Sequence, residues 1–415
     1  SKRRMDATIV GVILAIAACI AAFLFLGKSE KTPEKTPPPV VVAPAEAKPA
    51  AVKPVVSKIG GGKKGKKEEK KHPQCRFQFK GHAGAITCSR VSMTGKMVAT
   101  TGEDRRLILW NIAEIPPTQT LNLQPELDHG AAIATSPDDK FFAVVFARSK
   151  EVKIYPSKGA KDGAHVSFAS KHITDVTDLI WSYSGKYLLT FAMKDKDAVR
   201  LWSPRGEPMG TINPGALEAY NVVLSPDSRF ISIATMQCDA KIWEVGTDKD
   251  GFGFKGKAME LAGRTGGSGS AGHASAVHSV DFGGCSPANL VTDSSTAATG
   301  SKDGTCKVWN IAVRYRQNED PKCILTVDQP DKQPISKVAI SRGKIAKYLA
   351  TWSATAGLVF WGLPSGEKLS VVGTEDTGHV FHMEWFESEI EPHHHMLLCA
   401  SPDGRSQAWL PVPPY

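Results

Sequence analysis

At 415 residues the chain can bury a large core, and 41% hydrophobic with 22% charged residues is ordinary globular composition. The formal charge of +9 is unevenly placed: residues 1–80 carry 17 basic and 6 acidic residues, the remainder 34 and 36. The body is therefore close to neutral, which argues against a folded domain that grips nucleic acid by its own basicity. Eight cysteines with no Cys-x-x-Cys pair suggest neither a disulfide framework nor a zinc site, and read as reduced thiols facing the cytosol.

In chain order, residues 1–6 are a short basic tail. Residues 7–26, ATIVGVILAIAACIAAFLFL, carry no charge and as a helix would span roughly 30 Å, the hydrocarbon thickness of a bilayer. The apolar core of a cleaved signal peptide is only about 7–15 residues long, so the sequence predicts an uncleaved single-span transmembrane helix. Lys2, Arg3 and Arg4 before it and Lys28, Lys31 and Lys35 after it tie the positive-inside comparison. Initiation at Met5 would remove the first three and favour a cytosolic C-terminal side.

Residues 27–74 read as a disordered Pro/Ala/Lys-rich linker, with seven prolines from Pro33 to Pro54 and GGGKKGKKEEKK at 60–71. Lys63, Lys64, Lys66, Lys67, Lys70 and Lys71 form an electrostatic tract suited to anionic lipid heads or RNA phosphates. Glu68 and Glu69 interrupt it, and a solvated spacer is the competing reading.

From residue 75 onward a phrase recurs. TGEDRRLILWNI at 101–112 has a close counterpart, TGSKDGTCKVWNI, at 299–311. Strand-ending aromatics stand at Trp110, Tyr155, Trp202, Trp243, Trp309, Trp361 and Trp409. Each follows a short alternating run, and most have a turn cluster upstream: SMTGK at 92–96, SPDDK at 136–140, SYSGK at 182–186, SPDSR at 225–229 and SRGK at 341–344. Gly-His pairs at 81–82, 272–273 and 378–379 open three of the units.

This pattern resembles the WD40-repeat family, four strands per blade. The expected architecture is all-β: a seven-bladed propeller over 75–415, with a Gly/Ser-rich insertion at 246–272 read as an elongated surface loop with room for one strand in it. Three prolines in LPVPPY after Trp409 leave no ordinary outer strand there. The alternating CRFQFK at 75–80 should complete the last blade and shut the ring. The resemblance implies a buried hydrogen-bond chain of His, Ser/Thr, Asp and Trp in a blade. Carried over by motif, it gives His82, Thr100, Asp104 and Trp110 in blade one and His273, Thr299, Asp303 and Trp309 in blade five. Blade seven keeps His379, Asp403 and Trp409 but has Cys399 at the hydroxyl position. Blades two, three, four and six lack the full set.

Sites of chemistry are few. Thr299, His273 and Asp303 mimic a catalytic triad, but the same residues are what the structural chain requires. GFGFKG at 251–256 fits a Gly-x-Gly-x-x-Gly string without a strand–helix crossover, so it reads as a loop. His393, His394 and His395 read as a polar blade-seven hairpin loop beside Glu387, Glu389 and Glu391 rather than a metal site. No catalytic, metal or cofactor site is expected, and no small-molecule partner.

GHASAVHSVDF and ATGSKDGTCKVWNIAVRYRQNEDP at 297–321 resemble the transducin β-like branch of the WD40 family. The segment after Trp309 lies outside the generic repeat. The resemblance implies an endoplasmic-reticulum membrane protein, single-pass, with the propeller in the cytosol. It implies scaffold or adaptor activity linked to the unfolded-protein response, with a stress-response kinase or the ribosome as partners. The alternative is RNA or ribosome binding through the lysine tract. A third reading, a propeller enzyme, requires titratable groups converging on the central axis.

Overall fold

The computed structural model describes residues 72–411 except 115, 126–127, 160–162, 249–250, 263–271, 284–294, 344–345, 388–394 and 404. They fall within one compact unit, Glu68–Tyr415. The basic tail, the apolar span 7–26, the linker up to residue 71 and the six linker lysines lie outside the described residues. Among the described residues no helix is long and apolar enough to cross a membrane.

The described strands form seven four-stranded antiparallel sheets. Blades one to six take consecutive strands, over residues 86–123, 130–169, 178–212, 219–261, 277–328 and 335–372. Blade seven combines His382–Glu387, His395–Ser401 and Arg405–Trp409 with the first strand of the fold, Cys75–Phe79. In that closing pair Phe77 stands opposite Ala408 and Phe79 opposite Ser406. Phe77 and Phe79 sit in the core shared by blades seven and one, where the Phe79 ring meets Trp110 edge-on at 5.5 Å. Burial of each such side chain is worth about 1.5–3 kcal/mol. The innermost strands touch in cyclic order, and His382–Glu387 returns to Ile86–Val91. The ring is shut. Packing starts before residue 75: the Gln74 side chain, expected in the linker, is buried and donates to the Leu410 carbonyl at 3.0 Å.

The turn clusters fold alike because their chemistry is alike. Gly95, Asp139, Gly185 and Ser228 occupy the fourth position of their clusters with φ of 72°, 57°, 71° and 60°. This left-handed region favours Gly and tolerates small polar residues. The leading serines Ser92, Ser136, Ser182 and Ser225 each accept from the backbone N–H five residues on, at 2.8–3.1 Å.

The insertion does hold a strand, and a long one. Ala240–Asp248 and Gly251–Leu261 form one long hairpin, the outer half of blade four, and residues 263–271 lie outside the described residues. GFGFKG is thus strand: Phe252 lies 5.4 Å from the Tyr187 ring and Phe254 packs over Gly210, both in blade three. His395 also departs from the exposed-loop reading. It is a buried strand residue edge-on to Tyr348, with Nδ1 4.0 Å from Glu387; its fellow histidines and Glu389 and Glu391 lie outside the described residues. The six described cysteines carry thiols.

Because each blade runs up and down, connections between blades and the turns between second and third strands share one end of the ring. The turns between first and second strands share the other. The functional features divide between these two ends.

Candidate functional site

The buried chains set the first end. In blade one Trp110 Nε1 donates to Thr100 Oγ1 at 3.0 Å, Thr100 Oγ1 lies 2.9 Å from His82 Nε2, and His82 Nδ1 lies 2.9 Å from Asp104. In blade five the Trp309–Thr299 and Thr299–His273 distances are 2.8 and 2.7 Å, and His273 Nδ1 is 3.2 Å from Asp303. A neutral imidazole protonated on Nδ1 lets every donor point the same way, from indole to hydroxyl to imidazole to carboxylate. Burial, opposed by Asp303, lowers the pKa of His273 and favours that neutral form. Thr299 has its hydroxyl engaged and no exposed surface, so the triad-like set is scaffold.

Blade three carries a complete chain that the motif search passes over. His172 lies 2.9 Å from Thr190 and 2.9 Å from Asp195, and Trp202 donates to Thr190 at 3.0 Å. Lys171 stands where blades one and five have the Gly of Gly-His, so the dipeptide signature is missing. Blade six has a variant in which Trp361 donates to Thr351 at 2.9 Å and Thr351 donates to buried Gln329 at 2.8 Å. In blade seven the expected set does not assemble. His379 is exposed and packs edge-on against Trp352 of blade six, Asp403 is exposed, and the buried Trp409 Nε1 has no hydrogen-bond partner. Cys399 offers no hydroxyl, so nothing draws the histidine inward.

These chains pin loops. Asp195 accepts from the backbone N–H groups of Ile173 and Thr174 at 2.9 and 2.8 Å, fixing the connection into blade three. The neighbouring connection is tied by Ala219 N to Met193 O at 2.9 Å and by Met236 N to Glu218 O at 3.3 Å. Apolar side chains stand out on this fixed ground: Ile173 is 85% exposed, Leu217 84% and Met236 46%. Lys171, Lys194 and Lys196 are exposed around them, Lys194 3.8 Å from Glu218. Isolated surface leucines are ordinary, but three large apolar residues exposed on adjoining loops of two blades single out this face.

The second feature lies along the axis. Strand registers place Asp178, Asn221, Ser279, Lys337 and His382 at one level of the inner strands, and Arg90, Asp281 and Glu384 at the next. Blade two supplies only Ala132 and Ala134 at these levels. Arg90 therefore reaches past it, and its Nη2 donates to both oxygens of Asp178 at 2.5 and 2.6 Å. The polar side chains also stitch blades together. Asn221 accepts from Val280 N at 3.0 Å, Ser279 from Val338 N at 3.1 Å, Asp281 from Ile340 N at 2.9 Å and Glu384 from Val91 N at 3.1 Å. Arg342 donates to the Phe282 carbonyl at 2.7 Å and lies 3.7 Å from Asp281. Burial raises the carboxyls of Asp281 and Glu384 against the pull of Arg342 and Arg90, and lowers Lys337 and His382. Titratable groups do converge on the axis, which the sequence reading did not foresee. The signal was charged or polar residues set among apolar neighbours in most inner strands, as in SRV, DLIW, SVDF, SKVAI and HMEWF, but not in GAAIAT of blade two. Among the described residues no cluster of His, Cys, Asp and Glu has the arrangement of a metal site.

A third arrangement explains the segment after Trp309. Arg229 and Arg316 both donate to Glu244 at 3.1 Å, and Arg229 donates to the Tyr315 hydroxyl at 2.6 Å. AVRYRQ thus clamps blade five onto blade four.

The WD40 family, "WD domain, G-beta repeat", matches residues 73–111 and 270–310. The chain is 31% identical to human transducin beta-like protein 2 over 257 residues, 60% of this chain and 53% of that protein. It is 30% identical to the mouse protein of that name over 61% and 55% of the two chains. It is also 29% identical to the small ribosomal subunit protein RACK1 of Candida albicans over 30% of this chain and 38% of that one. The chain spans about half the length of the transducin beta-like relatives it matches. The WD40 propeller is typically a non-catalytic scaffold.

Proposed function

We propose that this chain is a membrane-anchored scaffold that docks protein partners through the loop face of blades three and four. The observation that carries the reading is the exposure of Ile173, Leu217 and Met236 together on adjoining loops fixed by hydrogen bonds. A partner covering Ile173 and Leu217 gains about 1.5–3 kcal/mol from each, and little ordering entropy is lost because the loops are already held. In this reading residues 7–26 tether the ring to the endoplasmic-reticulum membrane, with the propeller in the cytosol, and confinement raises the effective concentration of partners there. The stress-response setting, with a stress-response kinase among the partners, follows the resemblance to the transducin β-like branch.

Proximity labelling from the C terminus tests it, comparing the full chain, an Ile173→Asp/Leu217→Asp variant and residues 27–415. The double variant should lose a subset of protein neighbours yet keep its membrane neighbours, and the truncated chain should lose the membrane neighbours. An unchanged neighbour set in the double variant contradicts the docking face.

The likeness to a small ribosomal subunit protein supports a second reading, RNA or ribosome binding through Lys63, Lys64, Lys66, Lys67, Lys70 and Lys71. It predicts salt-sensitive association that is lost when these lysines become alanine and survives in the double variant.

A further inference from the structure

The axial channel encloses a cavity of about 450 Å³, within the size range of small-molecule sites. Its lining reaches the turn Met93–Gly95, so it lies toward the end of the ring away from the docking face.

The polar groups of the lining divide unequally. Each inner-strand carboxylate is engaged: Asp178 by Arg90, Asp281 by backbone amides and Arg342, Glu384 by the Val91 amide. Glu387 is at the rim beside His395. Lys337 is different. Among the described residues it makes no hydrogen bond or ion pair, although it lines the cavity from blade six. The Tyr183 hydroxyl and the Asn221 amide also line the cavity with donors unspent. His382, lining the cavity from the blade next to that of Lys337, has a buried Nδ1 without a partner. Ile180 and Val223, at the level of Arg90, give the wall of blades three and four an apolar stretch. The lining is thus rich in uncommitted donors, holds one uncommitted cation and keeps an apolar wall.

We propose that the channel binds a small organic monocarboxylate, with its carboxylate on Lys337 and its apolar body along Ile180 and Val223. One free ammonium matches one negative charge. A phosphate dianion would add a second charge close to Asp178, Asp281 and Glu384, whose repulsion no further free cation offsets. A neutral ligand would leave the half-buried ammonium only the attraction of Asp178, a carboxylate already held by Arg90. No covalent step is involved. The site is independent of the docking face.

The test is a titration of the full chain in detergent micelles, followed by tryptophan fluorescence, since Trp181 and Trp385 line the cavity. The probes are butyrate, benzoate, phenylacetate and indole-3-acetate, their amides, and inorganic phosphate. At least one carboxylate should bind with a dissociation constant of about 1 mM or tighter, and its amide at least about tenfold more weakly. Lys337→Met should weaken carboxylate binding at least about tenfold. Without ligand, the same variant should melt at a higher temperature, because it removes a half-buried charge that no hydrogen bond or ion pair among the described residues compensates. The inference is overturned if no carboxylate saturates below about 10 mM, if phosphate or the amides bind as well, or if Lys337→Met binds unchanged. The comparison of acid with amide needs no variant, so it stands even if Lys337→Met misfolds.

Discussion

The Ile173 amide donates to Asp195 Oδ2 at 2.9 Å, while the Ile173 side chain stands 85% exposed. One carboxylate thus ends the buried chain that begins at Trp202 and also fixes the residue offered to partners. Core and surface are coupled through a single side chain, so a change deep in blade three should be felt at the docking face.

Thr190→Val keeps the shape but leaves Trp202 Nε1 and His172 Nε2 without their buried partner. The expected loss is about 1–3 kcal/mol, read as a lower urea midpoint by tryptophan fluorescence. Hydrogen exchange at the Ile173 and Thr174 amides should quicken with it. Thr299→Val should cost a similar amount and leave those two amides unchanged.

Acid should weaken the ring in two stages. His172 is lowered from 6.5 by burial, against Asp195, so its folded value lies below its unfolded one. Its contribution is complete above about pH 6.5 and is lost as pH falls through the folded value. Burial pushes the Asp195 carboxyl up, but donors from Thr174, Ile173 and His172 outweigh it and hold the carboxyl at about 2. That contribution, about 2.5 kcal/mol, is present above about pH 4 and disappears as pH approaches 2. Urea midpoints measured from pH 7 to pH 2 check both stages. Asp195→Asn should lower stability at pH 7 and flatten the curve below pH 4.

Blade seven offers a gain. Cys399 occupies the register of Thr299, two residues beyond the partner of its blade's Trp, and Trp409 Nε1 is buried without an acceptor. Cys399→Thr should supply one and raise stability by about 0.5–1.5 kcal/mol, with the Trp409 indole proton shifting downfield in NMR. No change in that resonance would show that the hydroxyl points elsewhere.

Glu244 holds two guanidiniums and is 7% exposed. Glu244→Gln should lower the urea midpoint by an amount equivalent to about 1.5–3 kcal/mol. It should also loosen the 311–321 segment, read as new protease cleavage there. Tyr315→Phe, which removes one hydroxyl, should have a smaller effect.

The ring was legible because its signals are local and repeated: strand-ending aromatics, five-residue turns, and an alternating first strand with no other place to pair. Blade three's chain was not, because Lys171 replaces the expected glycine while His172 keeps the geometry. Blade six substitutes Gln329, which reaches Thr351 as an imidazole would. The paired Thr-Gly phrases are not in register with each other, as the carried-over Thr100 already implied. The bonding hydroxyl of blade one is Thr100 rather than Thr101, and the two glycines are needed for different reasons. A Cβ at Gly102 would lie 2.6 Å from His82 Nδ1, and one at Gly300 2.5 Å from Val338. The axial cluster was hidden because its members are far apart in sequence. Arg90 and Asp178 meet only because blade two fills the gap between them with alanine.

The docking face is tested most directly by placing a photo-reactive phenylalanine at Leu217 in the full chain, and separately at Ile324. Ile324 is 60% exposed on an outer strand of blade five, away from the docking face. Irradiation in cells should give discrete protein adducts from position 217 that Ile173→Asp abolishes, and none from position 324. Adducts from 324 alone, or adducts at 217 indifferent to Ile173→Asp, would contradict the account.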